Sequence, residues 1–199
     1  MPESTMSEEK MDEETITVVS GLPRSGTSMM MRMLEAGGLE VLTDELREAD
    51  ADNPKGYYEF ERVKQLEHDK SWLGNAEGKV VKIISQLLYH LPGDATYKVV
   101  FMRRNMEELL ASQRRMLARR GESDQLDDRQ MAQLFRKHLE QIQGWLDQQP
   151  GFDVVYVSYN EVLEDPQEQA RKVNRFLGDT LDVDAMVRVV DPDLYRQRA

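Results

Sequence analysis

The sequence predicts an α/β fold, a three-layer sandwich around a mostly parallel central sheet, and three features point to it. Short β-branched stretches alternate with helix-forming stretches, the first of them runs through a glycine-bearing loop into a helix, and the candidate strands end in polar or cationic residues. Strands separated by helices return to the same end of a sheet, so they pair in parallel and bury both faces under helices. Ligands of such sheets bind at the carboxyl ends of the strands.

Ile16-Thr17-Val18-Val19-Ser20 is β-branched and predicts the first buried strand. Met29 to Ala36 predicts a helix that stops at Gly37-Gly38. Leu39-Glu40-Val41-Leu42 is a strand candidate, and Asp52-Asn53-Pro54-Lys55-Gly56 is turn chemistry. From Tyr58 to Leu73 the spacing predicts a helix with Phe60, Val63 and Leu66 on one face. Lys79 to Ile84 and Tyr97 to Met102 read as strands, separated by a short helix or loop ending at Pro92-Gly93. Residues 105–120 are helical, with Asn105 as N-cap and Glu107 and Glu108 in the first turn. A second helix spans about 127–148 and stops before Pro150-Gly151. Asp153 to Ser158 is the last clear strand, followed by helices from Pro166 to Leu177 and over about 182–189.

Composition narrows the function. A chain of 199 residues with 40% hydrophobic content fits one domain, 15–199, after an acidic tail, 1–14, expected to be disordered. There is no cysteine, which excludes disulfides, thiolate catalysis and cysteine-held metals. His68, His90 and His138 lack metal-ligand spacing, so no metal is expected. No apolar run reaches membrane-spanning length and the N-terminus is acidic, which suggests a soluble cytoplasmic protein. The net charge of −11 argues against nucleic-acid or anionic-membrane partners.

The stretch Gly21-Leu22-Pro23-Arg24-Ser25-Gly26-Thr27-Ser28 carries the chemistry. Strand, glycine loop and helix start is the P-loop NTPase-like geometry in which backbone N–H groups and the helix dipole hold a phosphate. Its glycines have the Walker A separation, but Thr27 stands where an NTPase has lysine, and the loop's cation is Arg24. An NTPase also needs an aspartate ending a strand to hold Mg²⁺. Here the candidate strands run into Ser85, Arg103 and Tyr159. Arg103-Arg104 puts positive charge where a metal-binding carboxylate would stand, so arginine replaces magnesium as the neutralising group. Two arginine-bearing sites suggest a nucleotide phosphorylated at two separate positions.

With these residues the chain resembles the sulfotransferase family, whose donor is 3′-phosphoadenosine 5′-phosphosulfate. Pro23-Arg24-Ser25-Gly26-Thr27-Ser28 matches the family's 5′-phosphosulfate loop throughout, in the form nearest to bacterial and tyrosyl-protein enzymes. Arg104, with Ser112 eight residues later, matches its 3′-phosphate motif. Val80-Val81-Lys82-Ile83-Ile84 resembles the strand that carries an active-site lysine, which implies that role for Lys82. Val157-Ser158-Tyr159-Asn160-Glu161 resembles the segment near the adenine, which implies a nucleotide contact for Tyr159.

The resemblance implies metal-independent, in-line transfer of SO₃ to a hydroxyl or amine of a small-molecule or glycan-like acceptor. Arg24, the loop amides, Thr27 and Ser28 would stabilise the departing phosphate, and Lys82 the bridging oxygen. Cytosolic members carry a histidine base two residues beyond the strand lysine, where this chain has Ile84. Glu59, among aromatics whose desolvation would raise its pKa, is the preferred replacement; Asp44 and Glu45 are the others. Trp72, Tyr57 and Tyr58 are either acceptor-lining or core aromatics. The family's C-terminal Arg-Lys-Gly segment has no counterpart, leaving Arg196 and Arg198 as candidates to reach the 3′-phosphate. Two other readings stay open: a nucleotide-binding scaffold that lost the base, and a P-loop small-molecule kinase.

Overall fold

Strand β1 (Ile16–Gly21) is the pivot of the molecule. In the computed structural model, which describes residues 14–44, 58–122 and 126–191, it pairs in parallel with β2 (Val80–Lys82) on one side and β3 (Tyr97–Arg103) on the other. Strand β4 (Phe152–Ser158) adds in parallel to β3, giving the order β2-β1-β3-β4. The register sets Val18 beside Val81 and Val99, and Gly21 beside Met102. Because β1 connects to neighbours on opposite sides, the crevice at its carboxyl end is the switch point where open α/β sheets bind ligands.

Every residue of β1 is buried, as expected for a parallel strand covered on both faces. Alternate residues of β3 divide between two cores. Val99 and Phe101 face Trp72, Leu88, Ile142 and Leu146, whereas Val100 and Met102 face Met30, Leu34, Val157 and Val173. The first core lies under α3 (Asp128–Leu146), with α2 (Met106–Arg120) beside it. The second lies under α1 (Thr27–Ala36), α4 (Tyr159–Glu164), α5 (Pro166–Phe176) and α6 (Val183–Arg188). This is the predicted three-layer arrangement. No helix among the described residues is long and apolar enough to cross a membrane.

Local signals explain most helix ends. The Asn105 side chain accepts from the N–H groups of Glu107 and Glu108, and Asp127 forms a capping box with Gln130. Asp165 both closes α4 and caps α5, whose first residue, Pro166, has no N–H to continue the preceding helix.

Three expectations are corrected. The segment from Tyr58 to Leu73 is not one α-helix but short 3₁₀ turns, Glu61–Gln65 and then Leu73–Ala76. Phe60, Val63 and Leu66 are spaced by three, the 3₁₀ period, and Asp69 ends the run by accepting from the N–H and hydroxyl of Ser71. The candidate strand at Leu39–Leu42 contributes only an isolated bridge from Val41 to Val80. An unpredicted helix, α4, follows β4 directly, started by the Ser158 hydroxyl accepting from the N–H of Glu161. The tail up to residue 13 and the Asp52–Gly56 turn lie outside the described residues.

After β2 the chain turns through a 3₁₀ segment, Ser85–His90. Ser85 is fully buried, and its hydroxyl lies 2.9 Å from Nε2 of His138 on α3. This bond ties α3 to the end of the strand that carries Lys82. Burial lowers the pKa of His138 below its ordinary 6.5. The folded state therefore binds fewer protons than the unfolded chain below that value, and stability falls as pH drops through it. His138→Ala should cost about 1–3 kcal/mol at pH 8. Urea titrations down to pH 5.5 should show that cost shrinking; a pH-independent difference would contradict the neutral histidine.

Candidate functional site

The loop between β1 and α1 is shaped by residues that only glycine tolerates. Gly26 has φ 99°, and a Cβ there would lie 2.4 Å from Cδ2 of Tyr159. At Gly21 a Cβ would meet the Ser25 hydroxyl at 2.5 Å and the Met102 carbonyl at 2.6 Å. Arg24 also takes positive φ, 70°, which is uncommon for a side chain of its size. Helix α1 starts after Gly26 with no side-chain cap and no acid in its first turn. Its leading N–H groups are thus presented at the carboxyl edge of the sheet, the arrangement that favours an anion. Ser25 is 1% exposed and its hydroxyl has no partner among the described residues. Thr27 and Ser28 are half-buried, and Pro23 is exposed.

Three residues that the sequence assigns to two motifs meet here. Arg24 Nε donates to the Ser112 hydroxyl at 3.1 Å, and Arg104 donates through Nη1 to the Arg24 carbonyl at 3.2 Å. Ser112 comes to this position because Glu108 and Ser112, one helical turn apart, share the inward face of α2. Arg104 also pairs with Glu108 at 3.3 Å, with side-chain exposures of 7% and 4%. The Asn160 amide donates to both Glu108 oxygens at 3.1 Å, while its carbonyl accepts from the N–H of Asn105. Neither Glu108 nor Asn160 was anticipated from the sequence, although a Glu four residues after an Arg is a readable pairing signal.

Tyr159 is 7% exposed and lies between the loop and β3, with the Arg104 guanidinium 4.3 Å from its ring centre. Burial pushes its phenol pKa up, and the positive charges of Arg104, Arg32 and Arg24 oppose that rise. Arg103 points elsewhere: its guanidinium stacks 3.9 Å from the Tyr156 ring.

Lys82 and Glu59 form the second part of the site. Lys82 closes β2, beside Val19 of β1, and its ammonium stands 3.8 Å from the Glu59 carboxylate. Thr43 holds the Glu59 backbone, its hydroxyl donating to the Glu59 carbonyl at 2.9 Å. Asp44, a rival in sequence, turns its carboxylate to the Glu61 N–H at 2.5 Å, where it caps the 3₁₀ turn. Glu45, Tyr57, Arg196 and Arg198 lie outside the described residues. Trp72 is a core residue, fully buried and edge-on to Phe60 at 5.3 Å. Tyr58 donates its hydroxyl to Glu35 at 2.5 Å, and burial, with that carboxylate, raises its pKa. Among the described residues no group of three or more His, Asp or Glu could hold a metal ion.

A family model for the sulfotransferase domain matches residues 14–192. The chain belongs to the sulfotransferase family. Sulfotransferases are enzymes that use 3′-phosphoadenosine 5′-phosphosulfate, and three solved structures of similar fold are also sulfotransferases. The sulfotransferase domain from the Synechococcus PCC 7002 olefin synthase aligns with TM-score 0.57 at 14% identity, over 94% of this chain and 81% of that one. That from the curacin biosynthetic pathway aligns with TM-score 0.52 at 14% identity, over 90% and 79%. Mouse sulfotransferase SULT7A1 complexed with PAP aligns with TM-score 0.51 at 13% identity, over 90% and 63%. No curated protein sequence matches the chain.

The close approach of Tyr159 to Gly26 in this sulfotransferase is directly testable. Gly26→Ala should destabilise by about 1–3 kcal/mol through backbone strain and the clash. In a Tyr159→Ala background the same change should cost less, because the clashing ring is gone. Equal costs in the two backgrounds, read by denaturant unfolding, would refute the packing of ring on loop.

Proposed function

We propose that this sulfotransferase moves a sulfuryl group from 3′-phosphoadenosine 5′-phosphosulfate to a hydroxyl or amine of a small-molecule or glycan-like acceptor. The observation that carries the proposal is the hydrogen bond from Arg24 to Ser112, reinforced by that from Arg104 to the Arg24 carbonyl. It joins the loop to the segment that resembles the family's 3′-phosphate motif, which supports a nucleotide phosphorylated at both ends. The Ser25 hydroxyl, without a partner among the described residues, and the uncapped start of α1 supply donors that suit a phosphate.

In the transfer, the acceptor oxygen or nitrogen bonds to sulfur as the sulfur–oxygen bond to the 5′-phosphate breaks. Negative charge then accumulates on the departing phosphate. Arg24, the loop amides and the hydroxyls of Thr27 and Ser28 stabilise it, and Lys82 offers its proton to the bridging oxygen. Arg104 and Ser112 hold the 3′-phosphate, and Tyr159 orients the nucleoside. Glu59 accepts the acceptor's proton, and its approach to Lys82 puts base and acid at the same strand end. No step needs a metal ion.

A second reading has its own support. Ile84, where cytosolic relatives have a histidine base, is 41% exposed at the end of β2. A chain that kept the nucleotide site and lost the base would be a nucleotide-binding scaffold.

Calorimetric titration with 3′-phosphoadenosine 5′-phosphate and with ATP–Mg²⁺ separates the readings. The bisphosphate should bind more tightly, and Arg24→Ala or Arg104→Ala should weaken it by about tenfold or more, the 1.5–3 kcal/mol expected of a charged hydrogen bond. Preference for ATP–Mg²⁺ would sink the sulfotransfer proposal in favour of a kinase. Tight binding without turnover across an acceptor panel would support the scaffold. Glu59→Gln should lower kcat by about 10²–10⁴ and leave bisphosphate affinity intact. Full activity at neutral pH would remove Glu59 as the base.

A further inference from the structure

The site described so far uses two arginines, and a third, Arg32, stands on the helix that follows the loop. Arg32 lies on the stripe of α1 that also carries Ser28, four residues earlier, and Glu35, three later. Helical side chains lean toward the helix N-terminus, so this stripe delivers Arg32 toward the phosphate loop. Its Nε and Nη1 are both buried and neither has a hydrogen-bond partner among the described residues. The acid within reach along the helix, Glu35, is engaged by the Tyr58 hydroxyl at 2.5 Å.

A guanidinium stays protonated in proteins, and burying one with its donors unmatched is costly. Such an arrangement persists where a ligand completes it. The groups that act on Arg32 are Tyr58, Asp191 and Tyr159, and Tyr159 is also the ring that Arg104 stacks on and that the charge of Arg24 acts on. The charges of three arginines from three elements, the loop, the residue after β3 and the middle of α1, therefore all act on one phenol, with Arg104 against its ring. Two of them already have protein acceptors or hydroxyl partners that hold them in place. The third has two buried donors with no hydrogen-bond partner among the described residues.

We infer that Arg32 is a third phosphate-binding arginine of the nucleotide pocket, its guanidinium donating to phosphate oxygens of the donor beside Tyr159. This rests on the proposed donor and adds to it a contact outside both phosphate motifs. The helix after the loop would then contribute a cation as well as its N-terminus, and affinity for the bisphosphate would depend on a residue eight positions past Arg24.

The test compares wild type with Arg32→Gln and Arg32→Lys by calorimetry and thermal melting. The probes are 3′-phosphoadenosine 5′-phosphate, adenosine 5′-monophosphate and adenosine 3′-monophosphate. Arg32→Gln should weaken the bisphosphate by about tenfold or more, the fold-change of one charged contact. Whichever monophosphate shows the same loss identifies the phosphate that Arg32 holds. Ligand-free Arg32→Gln should melt at or above wild type, because an unmatched buried charge has been removed. A purely structural arginine would instead lower the melting point and leave affinity unchanged. If the glutamine variant does not fold, Arg32→Lys carries the test, with a smaller loss expected from a point charge that cannot match two oxygens. Wild-type affinity in the variants overturns the assignment of Arg32 alone. Failure of wild type itself to bind the bisphosphate overturns both that assignment and the proposed donor.

Discussion

The site depends on one side chain more than any other, that of Arg104. Its guanidinium joins four pieces of chain: it donates to the Arg24 carbonyl of the loop, pairs with Glu108 of α2, stacks on Tyr159 of α4 and itself extends from the end of β3. Pair formation does not by itself stabilise a fold, because desolvating two charges offsets most of their attraction. The geometry nonetheless has a large effect on specificity. Removing one partner of a buried pair strands the other, at a cost of about 3–5 kcal/mol. Asn160 closes the arrangement by donating to both Glu108 oxygens, so the carboxylate has no freedom to release the arginine cheaply.

The order β2-β1-β3-β4 explains why these pieces are adjacent. With β1 in the interior, the loop that leaves it lies between the strand ending in Lys82 and the strand ending in Arg103. One side of the loop thereby receives the Lys82–Glu59 pair, and the other receives Arg104, Ser112 and Tyr159. The division is the one the proposed reaction calls for, with the pair proposed for proton removal on one side and the residues proposed for the nucleotide on the other. His138, reaching from α3 to Ser85, keeps the strand end that carries Lys82 attached to the body of the fold.

Legibility in the sequence varied with the range of the interactions involved. Phosphate loop, Asn105 cap and strand β3 were readable because glycine placement, capping chemistry and β-branched runs act within a few residues. The stretch after Tyr58 was misread because spacings of three fit both an α-helix and a 3₁₀ turn, and the backbone bonds here run from Val63 to Phe60 and from Leu66 to Val63, the 3₁₀ pattern. Helix α4 was missed because six residues carry too little periodicity to stand out. Asp44 and Glu59 look alike in sequence, yet one caps a turn and the other faces Lys82.

The chain order of strands and helices and the loop that trades lysine for Arg24 were present in the linear pattern, since each is written in local propensity or fixed spacing, whereas Arg104 and Ser112 were singled out only by their resemblance to a family motif. The tertiary structure alone decided that Arg24 bonds Ser112 across 88 residues, that Tyr159 occupies the space a Cβ on Gly26 would need, and that Arg32 has two buried donors without a hydrogen-bond partner among the described residues. Those outcomes depend on which strands become neighbours and how closely helices approach them, and packing between distant segments sets both.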